Sequence, residues 1–360
     1  MIVVFSSNVN GAMIQMAIKV TEELFSMGYN VKCFIPQNAQ GCIPEKLTSS
    51  IVRYIKRKNI YPYNSAAKLV ANMILRFNPR LVWYVDNATF SSQVGIILSG
   101  KTRQAMVMHD AGTVHLSFDT SLRQRLKLFI EKKTSELCNE IIDWIITCSP
   151  SSKDTYCRLY PDHYSKVYML PLGPHLPEGT PICPPEIEDI SGYNMFFGRI
   201  DKYKGVDILL RTYSKWNGDR KLIIAGNGYL SKEEIETIKA DPRIVLINRF
   251  IKDEEMPYLF ANSRVIILPY REATQSGILP IAYMCGKPVI CSDVIGLSQF
   301  VNDGNTGYIC SSDDSYIKAY SQFEDELKLS SFSNQARKYY EDKLEWSGNI
   351  SKMLKVINYE

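Results

Sequence analysis

Short runs of consecutive apolar residues recur along the chain, separated by longer stretches in which apolar residues return every three or four positions. Ile2 to Phe5 is the first such run and ends in the polar Ser6-Ser7-Asn8. Ala12 to Met27 reads as a helix stopped by Gly28, and Val31 to Ile35 as the next strand. Leu81 to Val85, Ala105 to Met108 and Trp144 to Thr147 are further runs of strand length. A strand covered on both faces loses the in–out alternation, and such strands spaced by helix-length segments pair in parallel through crossover helices.

The middle breaks this rhythm. Pro171, Pro174, Pro177, Pro181, Pro184 and Pro185 crowd a stretch that can be neither helix interior nor central strand. The alternation then restarts, with strands at Met195–Phe197, Lys221–Ala225, Val245–Ile247, Val265–Leu268, Pro288–Cys291 and Gly307–Ile309. Between them lie expected helices at Gly205–Trp216, Ser231–Lys239 and Asp253–Ala261, the last with Asp253 as N-cap. The expected organisation is an N-terminal α/β domain over 1–172, a proline-rich linker over 173–190 and a C-terminal α/β domain over 191–342. A terminal helix over about 343–360 is expected to pack back on the first domain.

Composition narrows the class. A chain of 360 residues with 45% apolar and 22% charged residues can bury two cores. A formal net charge of only +4 disfavours nucleic acid as partner. The nine cysteines include no C-x-x-C spacing, which disfavours a metal cluster or a disulfide framework and suits a reducing cytoplasm. No apolar run approaches the ~20 residues that span a bilayer, so the expected location is cytoplasmic, at most peripheral on the inner face of the plasma membrane.

The candidate chemistry begins where the first strand after the linker ends. In Phe197-Gly198-Arg199-Ile200-Asp201-Lys202-Tyr203-Lys204-Gly205, two cations flank a polar loop ahead of a helix. Guanidinium and ammonium together suit a diphosphate, and the helix start adds amide donors. On charge alone the same segment is an ordinary surface loop with solvated cations. Downstream, Ala225-Gly226-Asn227-Gly228 ends a strand in a glycine turn. Pro269-Tyr270-Arg271-Glu272-Ala273-Thr274-Gln275-Ser276-Gly277 then links a strand to a helix, and Gly286-Lys287-Pro288-Val289-Ile290 opens the next strand.

In this order the segments resemble the donor-binding domain of the family 4 glycosyltransferases, most specifically over 195–309. The resemblance implies the GT-B fold, two doubly wound Rossmann-like domains facing a central cleft. It also implies a retaining, metal-independent hexosyltransferase that needs no cofactor. Arg199 and Lys204 would hold the donor diphosphate and stabilise it as it leaves, aided by Gly11 and by Gln275, Ser276 and Gly277. Glu272 would contact sugar hydroxyls, and Asn227 with Arg249, Phe250 and Ile251 would line the base. His109 would position sugar and acceptor, with Asp110 and His115 supporting its loop. The implied partners are a UDP- or GDP-linked sugar and a glycan or lipid-linked acceptor, in bacterial surface polysaccharide synthesis. One departure stands out: relatives carry a second glutamate, a ribose ligand, where this chain has Pro280 or Ile281.

Further features stand beside this resemblance. No D-x-D pair suggests a cation site, and fixed cations can replace a metal at a leaving group. Leu122, Leu126, Phe129 and Ile130 recur at helical spacing among Arg123, Arg125, Lys127, Lys132 and Lys133. This is either a helix with a core face or a basic surface for an anionic membrane, as the cluster Arg53-Tyr54-Ile55-Lys56-Arg57-Lys58 also suggests. The alternatives to a transferase are a nucleotide-sugar-binding regulatory or accessory module and a sugar-nucleotide epimerase on the same scaffold.

Overall fold

The computed structural model describes residues 1–9, 11–40, 43–56, 65–109, 122–177 and 179–359. They form two compact units, one of residues 1–171 with 346–360 and one of residues 172–345.

The first unit is built on a parallel sheet of seven strands: β1 (Ile2–Phe5), β2 (Val31–Pro36), β3 (Ile51–Tyr54), β4 (Leu81–Tyr84), β5 (Arg103–Met108), β6 (Trp144–Thr147) and β7 (Val167–Met169). Their order across the sheet is β3-β2-β1-β4-β5-β6-β7. All four residues of β1 and of β4 are buried, as expected for strands covered on both faces. The helices of this unit are α1 (Ala12–Ser26), α2 (Ser65–Leu75), α3 (Thr89–Leu98), α4 (Leu122–Ile141) and α5 (Pro150–Leu159). The chain's last helix, Trp346–Val356, also belongs here and packs on α1. Its end is pinned by Arg80, which donates to the Tyr359 carbonyl at 3.0 Å and lies 4.8 Å above that ring.

Two sequence expectations change in this unit. Arg53 and Tyr54 lie in a sheet strand, with Tyr54 buried and Arg53 donating to the Gln37 carbonyl at 3.0 Å. On α4, Leu126 and Phe129 are 60% and 57% exposed rather than forming a core face.

The second unit has six parallel strands, β8 (Tyr193–Phe197), β9 (Leu222–Ala225), β10 (Ile244–Ile247), β11 (Ser263–Leu268), β12 (Val289–Ser292) and β13 (Gly307–Cys310). Their order is β10-β9-β8-β11-β12-β13, the doubly wound arrangement. Helices α6 (Val206–Lys215), α7 (Lys232–Ala240), α8 (Glu255–Asn262), α9 (Ile278–Met284), α10 (Ile295–Ser298), α11 (Asp313–Gln322) and α12 (Glu326–Tyr339) connect or follow them. With these named, Trp346–Val356 is α13.

Capping chemistry sets the helix starts. Ser231 closes a capping box with Glu234 at α7. Asp253 does not cap α8, which starts at Glu255. There the Glu255 carboxylate folds back to accept the Lys252 N–H at 2.8 Å and so organises the turn instead.

Candidate active site

In a doubly wound sheet the connections leave two neighbouring strands in opposite directions, opening a crevice at their carboxyl ends. In the second unit those strands are β8 and β11. Arg199 and Lys204 follow β8; Glu272, Gln275, Ser276 and Gly277 follow β11. The sequence-selected residues therefore converge on the place where this topology binds ligands.

The two loops are locked together by backbone. Gly205 has a positive φ of 68°, and a Cβ there would lie 1.9 Å from the Pro269 carbonyl oxygen. Only glycine satisfies both demands. The Arg271 N–H donates to the Tyr203 carbonyl at 2.8 Å, and the Arg271 side chain pairs with Asp207. A similar seam joins the loops after β8 and β9, since a Cβ on Gly226 would lie 1.9 Å from the Gly198 carbonyl oxygen. Asn227 sits in that second loop, exposed, its carbonyl accepting the Ile200 N–H at 2.9 Å.

This frame presents two different cations. Arg199 is exposed, with one terminal nitrogen 3.5 Å from Asp201 Oδ2 and its guanidinium 5.8 Å above the Tyr203 ring. Lys204 is partly buried, and its Nζ lies 3.8 Å from the centroid of the fully buried Tyr270 ring. Loss of solvent, and then the charge of Arg199, bring the Lys204 ammonium down to a pKa of about 8. A cation placed on an aromatic face and depressed by burial is stabilised by an arriving anion. Tyr203 and Tyr270 lie in the two segments that carry the resemblance, but nothing local in the sequence marks either ring as a cation platform.

The other residues are spread along the sheet edge. Glu272 is exposed, and Ser276 is buried with its Oγ accepting the Ile278 N–H at 3.2 Å. Arg249, Phe250 and Ile251 follow β10, two strands from β8. The Arg249 guanidinium makes paired hydrogen bonds to both Glu186 and Glu255, at 2.7–2.9 Å. Ile251 is buried, while Phe250 is 76% exposed and is the surface this segment offers. Pro280 and Ile281 are both buried within α9.

The first unit has its own switch crevice, between β1 and β4. Gly11 caps α1 behind β1 with a φ of 76°. His109 follows β5, and its Nε2 lies 2.8 Å from the Val85 carbonyl oxygen. A carbonyl only accepts, so Nε2 carries the proton in this contact. Asp110 and His115 lie outside the described residues.

Two doubly wound parallel sheets, the second with a pair of cations at its switch point, define the GT-B class of architecture. Residues 193–323, within the second unit, match the family model described as Glycosyl transferases group 1. An O-antigen chain mannosyltransferase B of Escherichia coli is 26% identical over 174 residues, 44% of this chain and 45% of that protein. An uncharacterized 41.2 kDa protein in the cps region of Klebsiella pneumoniae is 27% identical over 121 residues, 33% of each chain. The matched stretch thus spans less than half of either curated relative. Among solved structures, Anabaena Alr3699/HepE in complex with UDP superposes with a TM-score of 0.74 at 13% identity, over 100% of both chains. WaaG, a glycosyltransferase involved in lipopolysaccharide biosynthesis, gives 0.68 at 13% identity over 99% of both. These distant likenesses speak for the fold.

Proposed function

We propose that the chain is a retaining, metal-independent glycosyltransferase of the family 4 type. It moves a hexose from a UDP- or GDP-linked donor to a glycan or lipid-linked acceptor in bacterial surface polysaccharide synthesis. The observation that carries this reading is the pair Arg199 and Lys204 at the β8–β11 switch point, with Lys204 held 3.8 Å over Tyr270. The mannosyltransferase relative and the UDP and UDP-glucose complexes of HepE support the donor class.

As the glycosidic C–O bond breaks, negative charge gathers on the leaving diphosphate. Two fixed cations meet that charge without reorganising, the electrostatic role a metal plays elsewhere. Ser276 and Gly277 border the same crevice, Glu272 reaches sugar hydroxyls, and the exposed Phe250 ring stacks on the base. The departing phosphate oxygen accepts the proton of the incoming acceptor hydroxyl on the same face, which retains the anomeric configuration.

Transfer and donor hydrolysis measured across UDP- and GDP-sugars test the reading, with the product anomer followed by NMR. Arg199→Ala and Lys204→Ala should each abolish turnover while the chain stays folded, and EDTA should leave it intact. A folded chain that neither binds nor turns over any of these donors refutes the proposal.

A second reading has one observation in its favour: the place of the second glutamate is taken by the buried Pro280 and Ile281. On that reading the chain binds nucleotide sugar without transferring it. Binding without turnover in the same assay would establish it.

On the first unit, the exposed Leu126 and Phe129 on α4 lie beside Lys132 and Lys133, which are 65% and 59% exposed. Both lysines also pair with Glu136, at 3.9 and 2.7 Å, and exposed apolar tips beside such a basic stretch suit an anionic bilayer. Among the described residues no helix is long and apolar enough to cross a membrane. Sedimentation with phosphatidylglycerol vesicles, unchanged by Leu126→Ser with Phe129→Ser, would refute the docking.

A further inference from the structure

The switch crevice of the first unit is built around a carboxylate. Asp86, just past β4, is 3% exposed. Its oxygens accept from Ser6 Oγ at 3.1 Å, the Ser7 N–H at 2.9 Å and Ser7 Oγ at 3.0 Å. They also accept from the Ala88 N–H at 3.2 Å and Ser91 Oγ at 2.5 Å. A carboxylate offers about four lone-pair sites, so Asp86 is saturated by donors from its own surroundings.

A cation, Lys56, stands beside this cluster. Lys56 follows β3 and is exposed as a residue, yet its ammonium is drawn inward, donating to the Ser7 carbonyl at 2.8 Å. The same Nζ lies 5.6 Å from the centroid of the buried Phe90 ring. The β3 end is fixed in turn by the Tyr54 hydroxyl, which donates to the Ser6 carbonyl at 2.8 Å. Among the described residues no carboxylate forms an ion pair with Lys56. Burial lowers its pKa, opposed only by the more distant charge of Asp86.

A lysine amine has three N–H donors, and one is committed to Ser7. The others remain at the carboxyl ends of the strands, where this topology places ligands. Asp86 makes no hydrogen bond to the ammonium and acts on it only through space, favouring its charged form.

We propose that Lys56 forms an oxyanion-binding subsite in the first unit, taking a phosphate or carboxylate group of the acceptor. The proposal rests on the transferase reading only for the word acceptor. The subsite itself is a property of the first unit, distinct from the donor loops of the second.

The test uses the full chain without donor, in the Arg199→Ala/Lys204→Ala background, which silences the other phosphate-binding cations. Phenyl phosphate and glucuronate are the probes, read by saturation-transfer NMR on the ligand. Saturable binding of either probe is expected. It should weaken about tenfold in Lys56→Met, the worth of one charge-assisted hydrogen bond, and persist in Lys56→Arg. Preference for phenyl phosphate assigns a phosphorylated acceptor; preference for glucuronate assigns an acidic sugar. Failure of both probes to bind, or equal binding to Lys56→Met, overturns the subsite. Because no donor is present, that result leaves the transferase reading standing; absent donor turnover would remove that reading without touching the subsite.

Discussion

Lys204 can be tested through stability as well as through activity, and the two should move in opposite directions. The fold holds this ammonium partly out of water over Tyr270 and brings its pKa from 10.5 to about 8. That depression corresponds to about 3 kcal/mol of penalty on the charged form. The contact with the Tyr270 face, together with the solvent that still reaches the residue, returns about 1–2 kcal/mol of it. Lys204→Met keeps the stem, places a thioether against the same ring and removes the charge. The variant should therefore be more stable than the parent at pH 7, by about 1–2 kcal/mol.

The sign with pH follows from linkage. Between about 8 and 10.5 the unfolded chain holds this proton more tightly than the folded one, so folding becomes more favourable as pH rises through that window. Below about 8 the penalty is complete, and above 10.5 it is gone. The advantage of Lys204→Met should shrink accordingly and vanish near 10.5. Urea unfolding read by pulse proteolysis, with peptides assigned to each unit, scores the second unit separately. In the same protein UDP affinity should fall, by about tenfold or more, because a charge-assisted contact is lost. Wild-type UDP affinity should itself decline above about pH 8, where the free ammonium deprotonates. A variant that is less stable at pH 7, or whose advantage does not change with pH, refutes the account of Lys204 as a cation held at a cost for an anion.

Two further expectations follow from the same unit. Arg249→Met leaves the buried Glu255 without its partner and should destabilise the unit by about 3 kcal/mol. The Arg249 hydrogen bonds hold Glu186 and Glu255 below the usual carboxylate range. That stabilisation is present above their unfolded pKa and lost as pH falls through the lowered values, so acid titration of urea midpoints should be flatter in the variant. Ile281→Glu restores a carboxylate near the place where relatives carry one, but into a core position only 4% exposed. It should lower the melting temperature without tightening UDP binding; tighter binding in a stable variant would place that side chain in the donor crevice instead.

Much of the fold was legible because the buried strands are short, apolar and separated by helix-length segments. The strand Ile51–Tyr54 was not, because its sequence runs straight into Lys56-Arg57-Lys58 and the basic residues masked a pattern of only four positions. On α4, helical spacing correctly indicated a helix but not which face is covered. Periodicity reports that apolar residues share a side, and a sheet or a membrane can both satisfy it. Lys56 carried no signal of its own, since its inward turn depends on Ser7, forty-nine positions earlier in the chain.

The donor loops divide along the same line between local and distant causes. Arg199, Lys204 and Gly205 sit within one short loop, in which Gly205 has a positive φ; what further demands glycine there is the carbonyl of Pro269. A segment assembled from so few consecutive residues can be read directly. Arg249 is the opposite case. The resemblance implies that Arg249, with Phe250 and Ile251, lines the base, but its guanidinium is engaged by Glu186, sixty-three positions away, and by Glu255. That engagement ties the proline-rich stretch to the first residue of α8, so the guanidinium serves the unit's own cohesion. What remains exposed for a ligand there is one ring, Phe250. A ring provides stacking that any base can use, whereas a bidentate guanidinium would have selected among hydrogen-bonding patterns. If the segment after β10 meets the base as proposed, Arg249 contributes cohesion there and Phe250 the contact.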